Sequence, residues 1–151
     1  MKLGVSNTIP NIVNLPGQGG GSDPDAFITK WRVSSGDTIQ LMEAVFAGAP
    51  LPDYDVDWGD GNEEVVNIPD KTHTYTFIGG GTRDFTVTIT RNFNSLDMSR
   101  ATTAQQGYLR DMMQWGDNAW TSVRNMFESC TNMIYSATDA PDLTSLTEKN
   151  T

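Results

Sequence analysis

Four carboxylates crowd one short stretch of this chain of 151 residues: Asp53, Asp55, Asp57 and Asp60. Hard oxygen ligands at such density could hold a calcium ion. The spacing does not fit a calcium loop, because counting from Asp55 places Gly59 where the third oxygen ligand belongs and no Glu at the twelfth position. The better reading is an exposed acidic strand face, with Asp60 hydrogen-bonding the backbone of its own turn. No metal is expected. His73 is the sole histidine, so neither a Ser-His-Asp relay nor a two-histidine metal site can be assembled. A carboxylate pair for glycoside hydrolysis would have to come from 19 acidic residues, and nothing in their spacing selects one. Cys130, the single cysteine, sits on an apolar spacing and reads as a small buried hydrophobe rather than a nucleophile. The chain is expected to be non-enzymatic, with no catalytic residue and no cofactor.

What remains is the chemistry of binding. Trp31, Trp58, Trp115 and Trp120 could stack on sugars or anchor an interface. Trp31 and Trp58 fall on apolar strand faces and are expected inside. Trp115 and Trp120 lie beyond that region and are taken as partner-contacting candidates. The other candidates are Leu3, Val5, Ile9, Ile12, Val13 and Leu15, scattered through an N-terminal stretch with prolines at 10, 16 and 24 and a Gly-rich run at 17–21. Such a segment cannot offset the entropy of its own ordering unless a preformed surface receives it.

The elements that must position these groups are mostly strands. Phe27, Thr29, Trp31 and Val33 alternate onto one face, and Ile39, Leu41 and Val45 follow after the turn Ser34-Ser35-Gly36-Asp37. Tyr54, Val56 and Trp58 point one way and Asp53, Asp55 and Asp57 the other, ending in Gly59-Asp60-Gly61 with a returning strand over 63–68. His73, Tyr75 and Phe77 alternate with threonines, as do Phe85, Val87 and Ile89. Six or seven short strands between 26 and 92, with no helix-length segment among them, predict a two-sheet sandwich. Beyond it, 108–115 reads as a strand with Leu109, Met113 and Trp115 on one face. Val123, Met126, Phe127 and Cys130, spaced i, i+3, i+4 and i+7, predict a short helix over 121–130.

The charge narrows the partners. With 10 basic and 19 acidic side chains the net charge is −9, which repels phosphate backbones and anionic headgroups. Neither nucleic acid nor a membrane surface is expected as a partner. The acidity is read first as serving solubility, with steering toward a basic partner or a cation as the alternative. The N-terminus lacks the apolar run of a secretory signal, and no stretch is long enough to span a bilayer.

Tyr54-Asp55-Val56-Asp57-Trp58-Gly59-Asp60-Gly61, then His73-Thr74-Tyr75, then Gly81 and Phe85-Thr86-Val87-Thr88-Ile89, resemble a polycystic-kidney-disease (PKD) type domain over residues 26–92. The resemblance implies an immunoglobulin-like fold of the kind found in cell-surface, adhesive and carbohydrate-associated proteins. Arg83-Asp84, between Gly81 and the strand, departs from that pattern. Gln114-Trp115-Gly116, Trp120 to Val123, Phe127, Cys130, Asn132-Met133 and 137–143 are similar to the opening of BspA-type leucine-rich repeat surface proteins, with at most one repeat present. A lone repeat unit must be covered by the sandwich or by another chain.

The expected organisation is therefore mainly β: an extended arm and Gly-rich linker at 1–25, an immunoglobulin-like, PKD-type β-sandwich at 26–92, and a small strand-and-helix, repeat-like appendage at 93–151. The resemblance to surface proteins, taken with the missing signal segment, points to a bacteriophage virion component, capsid-decorating or tail-associated. Residues 1–22 would dock on other subunits and the chain would be oligomeric in the assembly. The alternative is a surface adhesin, on the virion or on a bacterial cell surface reached without a signal peptide, that binds a host glycan or protein.

Overall fold

The computed structural model describes residues 23–43 and 51–147. The chain is mainly β. Eight strands among the described residues form two sheets: β1 (Phe27–Ser34), β2 (Thr38–Leu41), β3 (Tyr54–Asp57), β4 (Glu63–Val66), β5 (Lys71–Thr74), β6 (Thr82–Arg91), β7 (Leu109–Gln114) and β8 (Ile134–Tyr135). The large sheet runs in the order β4-β3-β6-β1-β7-β8, and β2 and β5 pair in a second sheet.

Period-two alternation produces this directly. Register sets Phe27 opposite Ile89 and Val56 opposite the same Ile89, so three apolar residues form one row across β1, β6 and β3. Trp31 faces Phe85 a few residues along. The second sheet adds Ile39 and Leu41, and the two apolar faces close over Trp31, Tyr54, Trp58, Tyr75 and Val87, each no more than 1 % exposed. Phe85, expected inside with them, is only partly buried. The turn after β1 ties the sheets together: Gly36 N donates to Tyr75 O and Tyr75 N donates to Asp37 O.

Past residue 92 the chain stays in the same body. β7 pairs antiparallel with β1, and β8 pairs parallel with β7. Phe93, Leu96, Met98, Leu109, Met112, Trp115 and Trp120 join the core of the two sheets. Two register shifts between β1 and β7 change which side chains turn inward. Leu109 and Met112 are buried, not Leu109 and Met113 as strict alternation predicts, because a bulge inverts the parity of the residues beyond it.

The helix expected over 121–130 is not formed. The segment is a succession of four-residue turns, with Met126 N donating to Val123 O, Glu128 N to Asn125 O and Cys130 N to Phe127 O. Asn125 and Ser129 adopt positive φ of 54° and 59°. Ser and Asn offer the backbone local alternatives to a helical ladder, and Ser122 Oγ accepts from Arg124 N in that way. The turns still bury Met126 and Cys130 but leave Val123 36 % exposed. A helix forms instead at α1 (Thr103–Tyr108), where Thr102 and Gln105 make a reciprocal capping box. Among the described residues no helix is long and apolar enough to cross a membrane.

Candidate functional site

The acidic turn is built as a clasp between the two sheets. Trp58 follows β3 into the core, its N–H donating to Asn62 O to close the turn. Its indole Nε1 donates to Glu64 Oε1 at 2.9 Å, and Lys71 Nζ donates to the other oxygen of Glu64. His73 stacks on the Trp58 ring at 4.6 Å between centroids, 8° from parallel. His73 Nε2 lies 2.8 Å from Asp60 Oδ2, and Asn62 donates twice to Asp60 Oδ1. Tyr75 completes the clasp by donating its hydroxyl to Trp58 O.

These contacts decide the protonation states. Burial opposes ionisation of Asp60, but hydrogen bonds from His73 and Asn62 outweigh it and hold the carboxyl below its ordinary range. Glu64 behaves alike, burial being outweighed by Lys71 and Trp58. The other carboxylates of the cluster are engaged locally: Asp57 Oδ1 accepts from Gly59 N, and Asp53 and Asp55 face Arg91. Among the described residues no group of three or more His, Cys, Asp or Glu is placed to hold a metal ion.

Trp115 and Trp120 are interior, which corrects their reading as partner contacts. Trp120 is fully buried and Trp115 is 7 % exposed. They meet edge-to-face at 5.4 Å, and Phe27 lies 5.0 Å from Trp120. The cause is β7: by joining β1 it carries Trp115 onto the apolar end of the sandwich. Leu3, Val5, Ile9, Ile12, Val13 and Leu15 fall outside the described residues. The first described residues are anchored, since Gln114 Nε2 donates to the carbonyls of Asp23 and Ala26. Cys130 is buried, which pushes its thiol up to about 11.

Three features escaped the sequence reading. Asp55, Asp57, Glu63, Val65, Thr88 and Thr90 line an open concavity of about 390 Å³ on the outer face of the large sheet. The alternation of β3 and β6 carried that signal. Ile78 is 95 % exposed, on a loop held by Arg83, whose Nη2 donates to Ile78 O and whose guanidinium lies 4.5 Å from the Phe77 ring centroid. No pattern in the sequence announced it.

The third is Glu43, two residues past the end of β2. Its side chain is buried, and among the described residues both Glu43 Oε1 and the Tyr54 hydroxyl lack a hydrogen-bond partner. Burial, then the nearby Asp70 carboxylate, pushes Glu43 up to about 7. The same burial, with Glu43, Glu64 and Asp70 near, raises the Tyr54 phenol. A carboxyl raised in the folded state stabilises the fold fully below its unfolded value near 4.5, and that stability is lost as pH rises through about 7. The unfolding free energy should therefore fall between pH 5 and pH 8, by up to about 3 kcal/mol for this shift. Glu43→Gln should flatten that slope and stabilise the protein at pH 8. Denaturant titrations at a series of pH values check this; equal slopes in both proteins would refute it.

A scan against protein-family models, a search of curated proteins and a search of solved structures each return no match to this chain.

Proposed function

We propose that this chain is a non-enzymatic structural component of an assembly, most simply a bacteriophage particle, that docks through residues 1–22 and displays a β-sandwich of immunoglobulin-like, PKD type. The observation that carries the reading is how the reactive side chains are used. His73, Asp60, Glu64 and Lys71 are tied to one another or to Trp58 around a turn, and the thiol of Cys130 is buried. Groups committed to joining two sheets are poorly placed to turn over a substrate. The described body is anchored from Asp23 onward, so the arm before it can serve a separate surface.

The arm's role is tested by limited proteolysis of the dilute protein. Residues 1–22 should be cut well before β6, and a chain lacking them should fold but fail to enter the assembly. Protection of 1–22 equal to that of residues 84–90 would place the arm on its own sandwich and remove the docking role.

A recognition role for the displayed body is the second reading, favoured by Ile78. Ile78, 95 % exposed on a loop that Arg83 braces beside the half-buried Phe77, is an apolar point that a host protein could cover.

A further inference from the structure

Residues in direct antiparallel register point to the same side of a sheet. Val56, Val87, Ile89 and Trp31 face the core. The residues between them must face outward: Asp55 and Asp57 on β3 beside Thr90 and Thr88 on β6, with Glu63 opposite Asp57. On the other side of β6, Lys30 lies opposite Thr86 and Arg32 opposite Asp84. Arg110 on β7 belongs to this second group, since Arg32, Lys30 and Arg110 all act on the Asp84 carboxylate.

The outer face is thus divided by sign. One corner carries Asp53, Asp55, Asp57 and Glu63 against Arg91. The opposite corner gathers three of the chain's 10 basic residues, Lys30, Arg32 and Arg110. Their counter-charges are Asp84, paired with Arg32 at 2.6 Å, and Asp111, which is buried and accepts from Ser136 Oγ. Arg110 Nε is itself buried and has no hydrogen-bond partner among the described residues, so only the rest of its guanidinium can face a partner. The strip between the corners is Thr86, Thr88 and Thr90, short and uncharged, and the last two line the open concavity on the acidic side, so no bulky or charged group blocks the approach of a partner.

We propose that this face is a self-complementary docking surface whose partner is a second copy of the same chain. A two-fold axis lying in the plane of the interface, perpendicular to the line that joins the two corners, sets each acidic corner on the partner's basic one. Such an isologous contact closes on itself as a dimer. The area is modest: strands about 4.8 Å apart and about 3.3 Å per residue give roughly 500–600 Å² per copy. That is near the lower bound for a specific interface, so the dimer is weak and exchanging, and its net charge of −9 per chain works against it at long range. The contact uses no residue of the arm and stands or falls independently of arm docking.

Sedimentation velocity of the full chain tests it. At about 150 mM salt, where a screening length of about 8 Å damps the repulsion between the two chains more than the close pairs, dimer should accumulate with concentration, and it should weaken at least tenfold at about 1 M, where that length falls to about 3 Å. Lys30→Glu with Arg32→Glu should be monomeric, as should Asp55→Lys with Glu63→Lys. Mixed in equal amounts, these two variants should form a heterodimer, because the four substituted positions then again meet opposite charges. A wild type that stays monomeric, a dimer indifferent to salt or to either pair of substitutions, or a mixture that stays monomeric would each overturn the proposal. An indifferent dimer would assign association to another surface, the arm included. If a reversal unfolds the chain, Lys30→Gln with Arg32→Gln and Asp55→Asn with Glu63→Gln should show the same weakening.

Discussion

Replacing Trp58 with alanine is expected to cost about 3–5 kcal/mol of stability, the range for emptying a large aromatic site in a core. Three losses coincide there. The indole is fully buried, so its removal leaves a cavity that the paired strands around it cannot collapse to fill. Glu64 loses the donor at 2.9 Å that helps hold its charge in a half-buried site, and His73 loses the ring on which it stacks. Trp58→Phe separates the terms, because it keeps most of the volume and the stack but removes the Nε1–H. It should cost less, about 1–2 kcal/mol, mostly from the missing hydrogen bond. Denaturant unfolding at pH 7 measures both. A Trp58→Ala cost under about 1 kcal/mol would mean that the sheets are not joined through this residue.

Gly59→Ala should be nearly as severe, while Gly61→Ala, two residues away in the same turn, should be mild. Both glycines have positive φ, 77° and 94°. A side chain at either pays the ordinary strain of that region, about 1–2 kcal/mol. Their surroundings differ. A Cβ on Gly59 would lie 2.4 Å from the backbone oxygen of Thr86, whereas one on Gly61 would meet nothing within 4 Å. Thr86 belongs to β6, at the middle of the large sheet, so the backbone cannot yield without disturbing pairing on both sides. Gly59→Ala should therefore cost about 3–5 kcal/mol, against about 1–2 kcal/mol for Gly61→Ala. Thermal or denaturant unfolding of the two variants checks the ranking, and equal costs would show that φ alone matters in this turn.

Much of the sandwich is legible in the sequence. The strand faces of Phe27 to Val33, Tyr54 to Trp58 and Phe85 to Ile89 follow from period-two alternation, a local property that pairing in a sheet preserves. The expected returning strand over 63–68 is present as Glu63–Val66. The capping box at Thr102 and Gln105 was also readable, and it marks a helix in a stretch whose mixed composition hid one. At 121–130 periodicity misled, because four-residue turns reproduce an i, i+3 spacing while positive φ at Asn125 and Ser129 breaks the helix.

By itself the sequence determined the strand faces, the WGDG turn, the presence of a single histidine and a single cysteine, and the sign of the overall charge. Each depends on residue type and short-range spacing alone. The tertiary structure decided everything that depends on which strands become neighbours. β7 joins β1 and thereby takes Trp115 and Trp120 from an expected surface into the core. β5 comes to face the end of β3 from the other sheet, so that His73 meets Asp60 and Trp58 across a gap of more than ten residues. The same pairing brings Lys30 and Arg32 onto one outer face with Asp55, Asp57 and Glu63. Strand order and long-range register are set by which apolar faces fit when the whole chain closes, and local patterning does not encode that choice.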